Sequence, residues 1–189
     1  MLRPGILDGR IAVVRGGGSL VAGRLRSLGA SVVDEPGERV DVLVWDGGAV
    51  FRAAAAGGAG PAPGADLCDA SDGPADPLDG FRACLDGAWE LLRVVATEVW
   101  IPGDGGKAVL IAPRPQDGDH AAAARAGLEN AARTLSIEWA RYGVRTTAIT
   151  PGDATSDEEI AQVVAYLASP GGDYFSGARM DLGAVALPD

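Results

Sequence analysis

Few residues of this chain have the type and spacing to do chemistry. Gly16-Gly17-Gly18-Ser19 follows the apolar run Arg10-Ile-Ala-Val-Val14 and precedes leucines at helical spacing. A glycine turn at such a junction lets backbone N–H groups face an anion at a helix N-terminus, where the dipole also favours negative charge. The same residues equally fit a flexible strand-to-helix turn. Asp34 closes the next apolar run, Ser31-Val-Val33, where a carboxylate can hold a ribose hydroxyl and would favour NAD over its phosphorylated form. A solvated turn acid is the simpler reading in a chain with 26 Asp and Glu. Lys107 stands alone among fifteen arginines, so Schiff-base chemistry has a single candidate. His120 is the only histidine, and its ordinary pKa of about 6.5 suits proton transfer. Ser136, Asp117 and Asp153 form no recognisable triad with it. Cys68 and Cys84 are too few for a disulfide framework and lack partners at zinc spacing, so a reduced, metal-free protein is expected.

Bulk properties narrow the classes further. The 189 residues suffice for one domain with a proper core, and the 47% apolar content is ordinary for a globular chain. A net charge of −10 with no basic face argues against nucleic acid. No apolar run is long enough for a membrane span, and Met1-Leu-Arg-Pro-Gly-Ile-Leu7 lacks the apolar centre of a signal peptide, so a cytoplasmic location is expected.

The elements that would position these residues alternate. After Arg10–Val14 and the glycine turn, Leu20, Leu25 and Leu28 mark a helix that Gly29 can cap. Val40-Asp-Val-Leu-Val-Trp45 reads as a third strand, ended by Asp46-Gly47-Gly48. Residues 53–77, rich in Ala, Gly, Pro and Asp without apolar period, read as a long flexible loop. Phe81, Leu85, Trp89, Leu92, Val95 and Val99 restore helical spacing until Pro102-Gly103. A strand at 107–112, a helix from about Asp119 to Tyr142 and a strand at 144–150 follow. An acidic helix start at Thr155–Glu159 and a last strand near Ala178–Leu182 complete the chain. Strands alternating with helices predict an α/β, Rossmann-like, doubly wound parallel sheet of about six strands in the order 2-1-3-4-5-6.

The back half resembles the short-chain dehydrogenase/reductase family. The resemblance is carried by Ala122-Ala-Ala-Arg-Ala-Gly-Leu-Glu-Asn-Ala-Ala-Arg-Thr-Leu-Ser-Ile-Glu-Trp139, by Val144-Arg-Thr-Thr-Ala-Ile-Thr-Pro-Gly152 and by Ser176-Gly-Ala-Arg-Met-Asp-Leu-Gly183. Asp41–Gly48 looks like the family's strand ending in Asn-Asn-Ala-Gly. The chain is shorter than usual members, without the helix–strand–helix material before Val40 and with the substrate loop after Pro151 cut to a few residues. A weaker resemblance, over Gly18–Val33, is to the opening of family III CoA-transferases, where such a segment helps hold the CoA nucleotide.

The first resemblance implies an NAD(P)-dependent oxidoreductase, yet the residues at the family's catalytic slots differ. Cys84 stands in the Asn slot, Pro113 in the Ser slot, Ala121 in the Tyr slot and Arg125 in the Lys slot. The family's glycine spacing, continued from Gly16, asks for glycine where this chain has Leu20 and Ala22. The expectation is therefore a pseudoenzyme: a nucleotide-binding or oligomerising subunit without the catalytic residues. Its cofactor contacts would come from Gly16, Gly17, Gly18, Ser19, Asp34, Asp46, Gly47 and Arg125, with NAD the cofactor considered. One residue of helix rotates a side chain by about 100°, which turns His120 away from the Ala121 position. An atypical oxidoreductase using His120 or Asp153, and a CoA-ester binding protein, are the alternatives. Apolar stripes on the two long helices (Trp89, Leu92, Val95 and Trp100; Leu128, Ala132, Leu135 and Trp139) serve the core first. In the family the same helices pack across subunits, which implies association with like subunits or with an intact dehydrogenase.

Overall fold

Strand β1 (Ile11–Arg15) lies between β2 (Ser31–Val33) and β3 (Val42–Asp46), and the sheet runs on through β4 (Gly106–Ile111) and β5 (Val144–Thr150) to β6 (Ala178–Asp181). The computed structural model describes residues 2–57 and 76–183. Every pairing is parallel and the order is β2-β1-β3-β4-β5-β6, the arrangement expected from alternating strands and helices. Helices α1 (Ser19–Ser27), α2 (Gly47–Ala55), α3 (Asp79–Val95), α4 (Ala121–Glu138) and α5 (Asp157–Ala168) cover both faces.

The two-residue period of a strand assigns each side chain to a layer. Val13, Leu43, Trp45, Leu110 and Ala148 join one core with α2, α3 and α4. Val14, Val42, Val44, Val109 and Ile149 join the other with α1 and α5. Residues 34–41 link β2 to β3 without a helix. Asp41 fastens the end of that link: its carboxylate accepts from the Ile11 N–H at 2.8 Å and from Arg10 and Arg39 at 3.1 and 3.0 Å.

Two sequence expectations change. The chain does not leave β3 for a loop at Gly47-Gly48; it starts α2 there, and α2 runs to Ala55, into the stretch read as loop. Two adjacent glycines look like a helix breaker, but here they are needed by contact. A Cβ on Gly47 would lie 2.8 Å from Cys84 Sγ and one on Gly48 3.2 Å from the Ala112 carbonyl oxygen. The rest of that stretch, 58–75 with Cys68, lies outside the described residues.

Lys107, the one Schiff-base candidate, is committed elsewhere. Its ammonium donates to the carbonyls of Leu167, Ala168 and Ser169 at the C-terminus of α5 and pairs with Asp173 at 2.7 Å. A cation at that end of a helix meets the negative pole of the dipole. Burial pushes its pKa down while Asp173 pulls it back. This ammonium is a helix cap at the edge of the sheet where β4 begins.

Candidate functional site

The strand order reverses at β1, whose neighbours are β2 and β3. In open α/β sheets the crevice outside the carboxyl ends of strands at such a reversal is where ligands bind. A cavity of about 140 Å³ opens there, lined by Gly18, Ser19, Asp46, Arg52, Arg114 and Asp157 among others. A shallower depression of about 440 Å³ adjoins it, lined by Gly17, Gly18, Ser19, Arg26 and Asp34. Thus Gly17, Gly18, Ser19, Asp34 and Asp46 come together at one edge of the sheet. Gly16, Gly47 and Arg125 do not line these two cavities.

The glycine turn is built for close approach. Gly16, Gly17 and Gly18 all have positive φ, at 93°, 144° and 77°, a region L side chains avoid. A Cβ on Gly16 would lie 2.6 Å from the Asp46 carbonyl oxygen, and one on Gly17 2.8 Å from the Ala49 Cβ. The turn therefore needs glycine to pack against the start of α2, whatever else it holds. Gly18 ends it and starts α1 without a side-chain cap.

Asp46 stands at the junction of β3 and α2. Its Oδ1 accepts from the Ala49 N–H at 2.9 Å and so caps α2. Burial pushes its carboxyl above the ordinary range, opposed by the Ala49 N–H and by Arg52. Both arginines of the cavity are already engaged. Arg52 pairs with Asp117 at 2.9 Å, while Arg114 pairs with Asp157 at 2.6 Å and donates to the Thr155 carbonyl at 2.9 Å. At the outer rim Arg15 donates to the Asp34 carbonyl at 3.1 Å and pairs with Glu35.

The side of the same edge toward α3 and α4, behind the ends of β4 and β5, has a different character. Cys84 is fully buried, and burial followed by the Asp46 charge pushes its thiol up to about 12. Ala121 is 1% exposed and belongs to the core beneath α3 and α4, and Pro113 is buried. Arg125 donates from one terminal nitrogen to the carbonyls of Pro113 at 2.6 Å and Pro151 at 2.7 Å, linking the ends of β4 and β5. Beyond β5 the connection is pinned: the Gly152 N–H donates to the Thr155 hydroxyl at 2.9 Å, which donates to the Leu182 carbonyl at 3.3 Å. Gly152 lies against Gly183, where a Cβ would come within 2.6 Å of its Cα.

His120 is exposed and holds φ of 66°, the one non-glycine residue with positive φ among those described. It is the residue before α4 and offers that helix no side-chain cap. Ser136 donates to the Arg133 carbonyl, and Asp117 accepts from Arg52 and the Arg114 N–H. Among the described residues, no group of His, Cys, Asp or Glu is placed to hold a metal. No described helix is long and apolar enough to cross a membrane. Sequence reasoning missed Arg52, Arg114 and Asp157; the capping pattern Ser156-x-x-Glu159 gave the start of α5, but nothing local pairs residue 114 with 157.

No family model matches the chain. A citronellol catabolism dehydrogenase of Pseudomonas aeruginosa PAO1 is 26% identical, with 98% of each chain covered and a TM-score of 0.65. A hydroxysteroid dehydrogenase from Escherichia coli (20% identity, TM-score 0.69, 94% of this chain and 96% of that one) shares the fold. So does a short chain dehydrogenase from Mycobacterium smegmatis (21%, 0.67, 99% and 97%). A curated relative, a probable 2,4-dienoyl-CoA reductase of Bacillus subtilis (strain 168), is 41% identical over 63 residues. That match spans 33% of this chain and 20% of the relative's length.

Proposed function

We propose that the chain is a short-chain dehydrogenase/reductase family member, as the 26% identical dehydrogenase and the short curated match support, and within that family a non-catalytic, nucleotide-binding subunit. The observation that carries this reading is Arg125. The cation in the family's Lys slot holds the ends of β4 and β5 together through Pro113 and Pro151, with no phenol beside it to tune. A guanidinium does not give up its proton in proteins. Ala121 has no proton to donate, Pro113 has neither hydroxyl nor N–H, and the buried Cys84 thiol stays protonated. Losing positioned acid–base help lowers a rate by about 10²–10⁴.

The nucleotide part of the reading rests on the glycine-turn cavity, with Gly17, Gly18 and Ser19 at the phosphate end and Asp34 at the ribose end. NAD is the cofactor that fits a carboxylate at the ribose. Calorimetry with NAD and CoA side by side is the test. Heat with NAD and none with CoA supports the reading; binding of CoA alone replaces it with a CoA-ester binding protein, the alternative that the dienoyl-CoA reductase match favours. A second alternative, an atypical oxidoreductase, draws on the strained backbone of His120, since such strain collects at functional sites.

Association belongs to the same reading. Trp89 on α3 is 49% exposed and Ile137 on α4 72%. These are the two long helices whose apolar stripes otherwise serve the core. Like subunits, or an intact dehydrogenase, would cover them.

A further inference from the structure

We propose that Asp46 sets how tightly this cleft holds a pyrophosphate: its own carboxylate sits over the glycine turn where an anion would be held, so the ionised side chain weakens the binding of a diphosphate and an uncharged one strengthens it. The inference rests on the nucleotide reading of the same cleft.

The two oxygens of Asp46 do different things. Oδ1 is fixed by the Ala49 N–H. Oδ2 faces the turn, 3.6 Å from where a Cβ on Gly17 would stand and 3.8 Å from one on Gly18. The first turns of α1 and α2 both line the cavity beside it; α1 has no side-chain cap, and the N–H groups and dipole at its start are what an incoming anion would use. The carboxylate already occupies that positive field. Two like charges in one partly desolvated site disfavour each other strongly.

The surrounding charges do not offset it freely. The first turn of α1 contributes no acid, and its end of the cavity is Gly18, Ser19 and Leu20. From α2 comes Arg52, held by Asp117; from the end of β4 comes Arg114, held by Asp157 at the start of α5. Each arginine faces the cavity with an acid of its own. Asp157 adds to the negative field at Asp46 while Arg52 and Arg114 oppose it, and burial raises the carboxyl overall. Asparagine at this position would keep the cap on α2 and remove the charge.

The test is calorimetry of the full chain with NAD at about pH 8 and about pH 5, where the diphosphate keeps its charge, on wild type and Asp46→Asn, the variant controlling for every other group that titrates. Adenosine serves as an uncharged probe of the same cleft. Asp46→Asn is expected to bind NAD tighter than wild type by about tenfold or more at the higher pH. The gap is expected to narrow as the pH falls toward the raised pKa of the wild-type carboxyl. Adenosine is expected to bind both proteins alike. Equal NAD affinity of the two proteins at the higher pH overturns the inference and leaves the nucleotide reading standing. NAD bound by neither protein at either pH, with Asp46→Asn melting as wild type does, overturns both. Asp46→Ser, which retains a capping oxygen, repeats the comparison if the amide variant fails to fold.

Discussion

The two ends of one sheet edge have been put to different uses. The cavity centred above β1 and β3 is open and reaches the ends of β4 and β5 at Ile111, Ala112 and Pro151; Gly18, Ser19, two arginines and two carboxylates line it. On the α3–α4 side of β4 and β5 the ground is filled: two proline carbonyls share one guanidinium, an alanine is sealed in the core, and the segment after β5 is tied down by Thr155. The first end is the one where nucleotide binding is proposed. At the second, Arg125 and Thr155 hold the protein together. The lesson is that a half-buried cation at the strand ends is not by itself a sign of chemistry; its partners decide.

The largest effect that would break this contrast falls on Arg125. Arg125→Ala should destabilise the protein by about 2–4 kcal/mol, because two charged hydrogen bonds are lost and two carbonyls are left short of donors. Denaturant unfolding measures it, and a loss below about 0.5 kcal/mol would mean that the link is incidental. Installing the family's side chains at Pro113, Ala121 and Arg125 together (Ser, Tyr and Lys) should overfill the core at position 121 by about 1–3 kcal/mol and bring no reductase activity. A gain of turnover in that triple variant would show that the second end is merely unequipped rather than closed.

At the first end, Gly17→Ala should lower stability by about 1–3 kcal/mol, through a φ of 144° and the contact with Ala49. Asp46 gives a pH signature. Its folded pKa is raised, so the native state binds more protons than the unfolded chain between the ordinary carboxylate value and the raised one. Stability contributed by the protonated form is therefore lost as pH rises through that window. Asp46→Asn should flatten this slope, and an unchanged slope would assign it to another group. The smallest effect is at His120, where replacement by glycine should stabilise by about 0.5–1 kcal/mol, relieving the left-handed backbone. A substantial destabilisation would point to contacts that the exposed side chain does not make in this structure.

The architecture was legible because period and spacing repeat along the chain. Apolar runs at Ile11, Val42, Gly106 and Val144 with helices between them require parallel pairing, and the strand order followed. What escaped was decided by contacts between distant residues. Gly47-Gly48 read as a stop because a glycine pair gives no hint that Cys84 and Ala112 will press against it. Lys107 read as a candidate nucleophile because nothing near it in sequence announces the carbonyls of Leu167–Ser169. At the candidate site, the glycines, Asp34 and Asp46 were visible by type and position at strand ends. Arg52, Arg114 and Asp157 were not, since their roles depend on where α2, the segment after β4 and the start of α5 meet.

The most direct test of the account is coenzyme turnover: purified full-length protein incubated with NADH or NADPH and a panel of carbonyl compounds, followed by absorbance of the reduced nicotinamide. No oxidation above the protein-free background is predicted for any pair. Robust turnover with even one carbonyl would contradict the claim that the β4–β5 end serves structure alone.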